Sequence, residues 1–284
     1  GSTTAARFDV DDSAYPDNTK KTVTLLLSSP DSGNVASGTT YDIELTATDA
    51  AGNSTSVTGA GLLTIDDADP TVSVTDPADE KVVSSLSSIS GSSSDNNQVA
   101  GVELTITNAT DDTWDGNEFT STETTVEATP DDDSFDSANE DWTYNSPPGD
   151  EGEYKVRATA TDRADNTGTS STVDYTIDKT NPTASITDPG DGDVVSSQSS
   201  IIGSSSDNNQ LTGVELTITD VATDETWNGN EFTTTETTVE ASADDGNFNS
   251  GNEDWTYNSP PIANGDYRVE ATVTDDAGNT GTSS

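Results

Sequence analysis

Cysteine, histidine and methionine are all absent from the 284 residues. That alphabet excludes a Cys or His nucleophile, a His general base, a disulfide scaffold and a zinc site of the Cys/His type. Basic residues are scarce: nine Lys and Arg stand against 54 Asp and Glu, for a formal net charge of −45. So few cations cannot neutralise a phosphate backbone and the acids repel it, which argues against nucleic acid as a partner. Hydrophobic residues make up 28%, against ~45–50% apolar in an ordinary soluble domain. No run approaches the ~18 consecutive apolar residues of a direct membrane span, and no signal peptide or lipidation motif is recognisable. The missing Met points to processing or to excision from something longer.

Low hydrophobicity with high net charge is a common signature of disorder. Here the acids are scattered among alternating apolar patterns and turn signals, which points to a folded chain. Self-repulsion of so many charges destabilises a compact state in dilute buffer, and at ~1 M salt the Debye length shrinks to ~3 Å and the repulsion largely disappears. Few Lys, many Asp and Thr and a thin core resemble the proteins of halophilic archaea.

Internal repetition sets the architecture. SSSDNNQ at Ser92–Gln98 returns at Ser204–Gln210, 112 positions later, and NEDWTYNSPP at Asn139–Pro148 returns at Asn252–Pro261, 113 positions later. One residue is inserted between them, near Ala222. Within the first full copy, short alternating runs between Gly/Pro/Asn/Asp clusters predict strands at 71–75, 87–92, 102–107, 124–128, 141–144, 154–162 and 172–177. Seven short strands in ~100 residues match an immunoglobulin-like sandwich. The expected fold is all-β: tandem immunoglobulin-like β-sandwiches, as beads on a string. Trp142 and Trp255 are expected in the cores. Trp114 and Trp227 either cap the cores or lie exposed, where they could stack on carbohydrate.

YKVRATATDRADN at Tyr154–Asn166, YRVEATVTDDAGN at Tyr267–Asn279 and YDIELTATDAAGN at Tyr41–Asn53 resemble the penultimate strand and turn of bacterial and archaeal Ig-like repeats. The middle copy departs from the TDxAGN-type turn at Asp165. The resemblance implies the fold and a place in stalks, adhesins, surface layers or filaments, and it implies no chemistry.

The domains read as an N-terminal strand at 1–11, a short Ig-like domain at 12–68, a full domain at 69–179 and a domain at 180–284 that lacks its final strand. Residues 1–11, GSTTAARFDVD, align with Gly168–Asp178, GTSSTVDYTID. The apolar row Ala6, Phe8, Val10 then matches Val173, Tyr175, Ile177. Three explanations stand. The chain is a window on a longer array; or residues 1–11 insert into the last domain of another copy, joining subunits by strand complementation; or they pair locally within the undersized first domain.

No catalytic constellation emerges, and the chain is read as non-enzymatic. Calcium is the candidate ligand, since it takes oxygen donors from carboxylates and carbonyls. The junctions Asp66-Asp67-Ala68-Asp69-Pro70 and Asp178-Lys179-Thr180-Asn181-Pro182 and the turns carrying Asp49 with Asn53 and Asp162 with Asn166 supply them; Asp275 with Asn279 repeats the pattern. These junctions are similar to cadherin linkers, although the remote Glu motifs of a cadherin site are missing and Lys179 counts against a cation. The alternative is that Asp and Asn simply terminate strands through side-chain to backbone hydrogen bonds. Two glycosylation sequons start at Asn53 and Asn108. The expected role is a structural subunit of an extracellular filament, a head-to-tail homopolymer on the surface of a halophile. The alternative is a non-polymerising segment of an adhesin or S-layer protein that contacts other surface proteins or glycans, with a viral fibre as a third structural role.

Overall fold

The computed structural model describes residues 39–48, 52–261 and 263–283. It divides into two units, Gly1–Ile65 and Asp66–Ser284. Among the described residues there is no helix.

In the first unit, β1 (Thr39–Thr48) and β2 (Ser54–Ile65) form an antiparallel hairpin. Its register runs from Thr48 opposite Ser54 to Thr39 opposite Ile65, with a bulge between Tyr41 and Ile43. Residues 12–38 and 49–51 of the short domain expected at 12–68, and the strand at 1–11 with Ala6, Phe8 and Val10, lie outside the described residues.

The second unit holds two sandwiches. The strands of the first are β3 (Thr71–Asp76), β4 (Lys81–Val83), β5 (Ile89–Ser94), β6 (Val99–Asn108), β7 (Thr113–Trp114), β8 (Phe119–Thr120), β9 (Val126–Glu127), β10 (Thr129–Pro130), β11 (Asn139–Tyr144), β12 (Gly152–Asp162), β13 (Thr167–Thr169) and β14 (Val173–Ile177). The next sandwich repeats them as β15 (Thr183–Asp188), β16 (Ile201–Ser206), β17 (Leu211–Asp220), β18 (Glu225–Trp227), β19 (Phe232–Thr233), β20 (Val239–Glu240), β21 (Ser242–Ala243), β22 (Asn252–Tyr257), β23 (Tyr267–Asp275) and β24 (Thr280–Thr282). We call these the middle and the last sandwich.

Each sandwich packs two sheets. In the middle one a sheet ordered β10-β11-β5-β3 faces one ordered β4-β14-β12-β6-β7-β8. In the last one β15-β16-β22-β21 faces β19-β18-β17-β23-β24. Strand alternation explains the core: along β12, Tyr154, Val156, Ala158 and Ala160 point inward while Lys155 and Arg157 point to solvent. Two such faces, joined largely by antiparallel pairing, make the immunoglobulin-like sandwich.

The cores centre on Trp142 and Trp255, both with no exposed surface. Each indole lies over a strand glycine. A Cβ on Gly91 would sit 2.0 Å from the Ser73 carbonyl oxygen and 2.2 Å from Trp142 Cζ2; on Gly203 it would sit 2.0 Å from Trp255 Cζ2. Glycine, unfavourable inside a strand, is required here by the close approach of the ring. Tyr154 donates its hydroxyl to the Asp150 carbonyl at 2.9 Å and Tyr267 to the Ala263 carbonyl at 3.0 Å, the tie made by the tyrosine corner of Ig-like domains. Trp114 and Trp227 cap the cores: Trp114 Nε1 donates to Tyr144 Oη and to the Ser146 carbonyl, and Trp227 Nε1 to Tyr257 Oη and the Ser259 carbonyl. Their rings pack against Phe119 and Phe232.

The predicted strand at 124–128 is shortened to Val126–Glu127. The Thr113 hydroxyl accepts the Thr124 N–H at 2.9 Å in place of a ladder carbonyl, and Thr226 does the same for Thr237.

Candidate functional site

The two sandwiches diverge at one edge. In the middle sandwich β14 lies between β12 and β4: Tyr175 pairs with Tyr154 on one side and with Lys81 on the other. Its inward row, Val173, Tyr175 and Ile177, is 7%, 2% and 0% exposed. Tyr175 ends an aromatic ladder that runs Trp114, Phe119, Tyr154, Tyr175, with ring centroids 5.1 to 5.7 Å apart. Burial pushes the Tyr175 hydroxyl far above the usual phenol range, and the neighbouring Tyr154 adds to it.

Among the described residues of the last sandwich, no strand takes that place. The ladder there stops after Trp227, Phe232 and Tyr267. β23 pairs with β17 along one side, and with β24 only at Thr272–Thr274 on the other. Tyr267 and Val269 are half-buried where Tyr154 and Val156 are buried. Val194, the counterpart of Val82, is 99% exposed, and Val195 is 53% exposed. Gln198 replaces the core-packed Leu86 and turns its amide to the Asp188 carboxylate and the Ser200 carbonyl. Among the described residues, β23 before Thr272 has no partner on that side, and Val194 and Val195 give it an apolar rim.

The second feature is a pair of carboxylate clusters. Asp66, Asp95 and Asp162 bring oxygens within 4.8 Å of one another, and Asp178, Asp207 and Asp275 do the same. The two triads are counterparts under the repeat. In each, the first Asp opens the linker into a sandwich, the second opens the turn after β5 or β16, and the third ends β12 or β23. The backbone fixes them. Asp162 Oδ1 accepts the N–H groups of Ala164 and Asn166 at 2.7 and 2.8 Å. Asp95 Oδ2 accepts those of Asn97 and Gln98. Asp207 Oδ2 accepts the N–H of Asn209 at 2.6 Å. Asn166 and Asn279 act as struts: each side-chain amide donates to the third Asp of its triad and to the main-chain carbonyl of the first.

Asp178 is the node between the sandwiches. It is wholly buried. Its N–H donates to the Val83 carbonyl, and its Oδ1 accepts from Thr180 N–H and Asn208 Nδ2. Glu151 accepts from the Thr180 hydroxyl, holding the linker to the middle sandwich. Lys179 donates its ammonium to the Gly149 carbonyl. Three oxygens in the clusters, Asp95 Oδ1, Asp178 Oδ2 and Asp207 Oδ1, are buried without a hydrogen-bond partner. Like charges ~4 Å apart repel by about 4 kcal/mol at an effective dielectric of ~20. The Asp207 carboxyl is accordingly pushed above its ordinary value: burial is the largest cause, opposed by the Asn209 N–H, and Asp178, Asp275 and Glu151 push further upward.

Of the residues offered by the sequence as calcium ligands, Asp66, Asp162, Asp178 and Asp275 fall in the triads. Asp67 and Asp69 are exposed and outside them. Asn166 enters as a hydrogen-bond donor, which makes it a support and not an oxygen ligand. Asn53 is an exposed turn residue of the first unit, and Asp49 lies outside the described residues. Asp95 and Asp207, in the duplicated SSSDNNQ segment, complete the triads, and neither junction nor hairpin-turn composition points to them. The sequon residue Asn108 is half-buried, and its Oδ1 accepts from Thr110 N–H, the Thr110 hydroxyl and Asp112 N–H.

No protein-family model matches the chain, and no curated protein matches it. Solved structures resemble it at low identity. Fibronectin(III)-like modules of Clostridium thermocellum CbhA are 12% identical, with 75% of this chain and 93% of that one covered and a TM-score of 0.36. The FN1–FN3 domains of chicken CNTN1 are 15% identical, covering 77% and 66%, at a TM-score of 0.35. A bacterial ice-binding adhesin, from a study of host cell surface retention, is 18% identical, covering 85% and 71%, at a TM-score of 0.31.

Proposed function

We propose that the chain is a non-enzymatic structural subunit of an extracellular surface filament of a halophile, in which residues 1–11 of one copy complete the last sandwich of the next. One observation carries this reading: residues 1–11 repeat the apolar row of β14, and among the described residues of the last sandwich no strand takes the place that β14 fills in the middle one. The edge of β23 there has a half-buried Tyr267 and Val269 beneath it and an exposed Val194 beside it. Residues 1–11 carry the matching row, with Ala6, Phe8 and Val10 in register with Val173, Tyr175 and Ile177. An inserted strand gains main-chain hydrogen bonds and buries an apolar row, and a head-to-tail contact that does not close builds a fibre. The acidic surface suits molar salt, where its self-repulsion is screened.

Light scattering after size exclusion, with electron microscopy, tests this at ~1 M KCl, where charge repulsion is screened. The full chain is expected to polymerise. Removal of residues 1–11, or Phe8→Asp, is expected to leave monomers. A chain extended after Ser284 by a copy of residues 172–178 fills its own edge and is expected to stay monomeric with a more stable last sandwich. Polymers that survive Phe8→Asp, or a full chain that stays monomeric, would overturn the filament reading; the second result favours a non-polymerising segment of a larger surface protein.

A further inference from the structure

We propose that each carboxylate triad binds one Ca²⁺, and that the ion at Asp178 clamps the last sandwich to the final strand of the middle one. Acid clusters arise readily in a chain of this charge, so the inference rests on what distinguishes these two. Asp178 is wholly buried and its Oδ2 has no hydrogen-bond partner, and its carboxylate brings an oxygen within 4.8 Å of oxygens of Asp207 and Asp275. Asp207 Oδ1 in the same cluster and Asp95 Oδ1 in the other are orphaned in the same way. A buried carboxylate oxygen without a donor carries a full desolvation penalty. Here the orphaned oxygens belong to carboxylates that converge and repel, an arrangement a cation relieves. Turn formation explains the other oxygen of each of these groups and leaves these unexplained.

The donor set selects the ion. Every donor is a carboxylate oxygen, which suits a hard cation and disfavours zinc or copper. Ca²⁺ accepts irregular geometry and a mixture of carboxylates, carbonyls and water, whereas Mg²⁺ demands a near-ideal octahedron and keeps its waters. The clamp follows from where the ligands come from. Asp178 directly follows β14 of the middle sandwich; Asp207 and Asp275 stand on two loops of the last sandwich. An ion between them ties two domains at the linker that Lys179 and Thr180 continue.

Calcium binding is measured on the full chain after chelation and dialysis into KCl of fixed concentration, by calorimetric titration with CaCl₂. Two ions per chain are expected. Asp207→Asn and Asp95→Asn each remove one, and the exposed Asp254→Asn removes neither. Lysyl endopeptidase reads the clamp separately: Ca²⁺ is expected to slow cleavage after Lys179 several-fold in the wild-type chain and not in Asp207→Asn. The wild-type stoichiometry decides even where a variant fails to fold. No binding at ~10 mM CaCl₂, well above the ~10⁻⁴–10⁻³ M range of extracellular calcium modules, would overturn the proposal. So would two ions retained by the Asp95→Asn, Asp207→Asn double variant, or equal binding of Mg²⁺. Cleavage after Lys179 that ignores bound calcium would overturn the clamp. None of these readouts depends on whether the chain polymerises.

Discussion

The middle and last sandwiches are nearly the same sequence folded twice, and they agree almost everywhere. Each seats a buried Trp over a strand glycine, caps it with a second Trp that donates to a Tyr hydroxyl, closes a tyrosine corner and gathers three aspartates at its leading linker. Among the described residues they part at one edge, which β14 covers in the middle sandwich only. Fully burying a Val, Ile or aromatic side chain contributes roughly 1.5–3 kcal/mol, so the β14 row adds several kcal/mol to one domain only. The Trp-centred features are common to both sandwiches, and among the described residues the β14 row is added to them only in the middle one.

The largest effects test the shared half. Trp142→Ala and Trp255→Ala are each expected to cost about 3–5 kcal/mol, and nearly the same amount, because both rings are fully buried over a glycine. Domain-resolved denaturant unfolding measures this; costs differing by more than about 1 kcal/mol would break the equivalence. Next comes the edge itself. Tyr175→Ala removes the last rung of the ladder and is expected to cost about 3 kcal/mol, making the middle sandwich resemble the last. Tyr267→Ala in a subunit without a donor strand is expected to cost less than Tyr154→Ala, its counterpart beside β14, since the Tyr267 ring is already half exposed while Tyr154 is buried. Equal costs would mean that β14 adds no packing to the tyrosine it covers.

The agreement between copies was legible in the sequence, because alternation and duplication are local. Val173, Tyr175 and Ile177 alternate with Asp174 and Thr176, and the strand forms where that pattern lies. What the sequence hid is long-range. Val194 and Val195 look like their counterparts Val82 and Val83, yet their exposure depends on a partner about ninety residues further along in the middle copy. Two-residue strands such as β7 and β8 carry no period to read. The triads join a linker, a turn after β5 and the end of β12. Asp162 and Asp66 were visible through junction and turn composition; Asp95, inside a serine-rich run, became a partner only through tertiary placement. Asn166 looked like a ligand because an amide offers an oxygen, but here its nitrogen makes the contacts.

A smaller effect separates packing from polarity at the same edge. The Tyr175 hydroxyl is buried without a partner. Tyr175→Phe is therefore expected to stabilise the middle sandwich by about 0.5–1 kcal/mol at neutral pH, within the cost of an unsatisfied buried group. Its pH dependence has a defined sign. Burial raises the phenol above its unfolded value, so the folded state holds the proton more tightly. Stability from this group is present below pH ~10 and falls as pH rises through and above that value. Tyr175→Phe is expected to flatten the alkaline limb of the middle sandwich's stability curve. Tyr154 and Tyr267, both raised mainly by burial, keep part of that limb in each domain. An unchanged limb in Tyr175→Phe would show that the hydroxyl is solvated.

The smallest expected effect is the most discriminating, because it depends on what covers the edge. Val82 is half-buried, and β4 pairs with β14 there, opposite Thr176. Val82→Thr is expected to cost about 1 kcal/mol, a common size for a point substitution. Val194 is 99% exposed, so Val194→Thr in a chain lacking residues 1–11 is expected to change stability by less than about 0.5 kcal/mol. Once a donor strand occupies the edge, Val194 takes up the position of Val82, and the same substitution regains the cost seen in the middle sandwich. It then weakens subunit joining without touching the isolated domain. Stability and polymer dissociation measured on one variant thus answer different questions. A Val194→Thr chain that polymerises with undiminished stability would place the donor strand away from Val194, and complementation in the β14 register would be wrong.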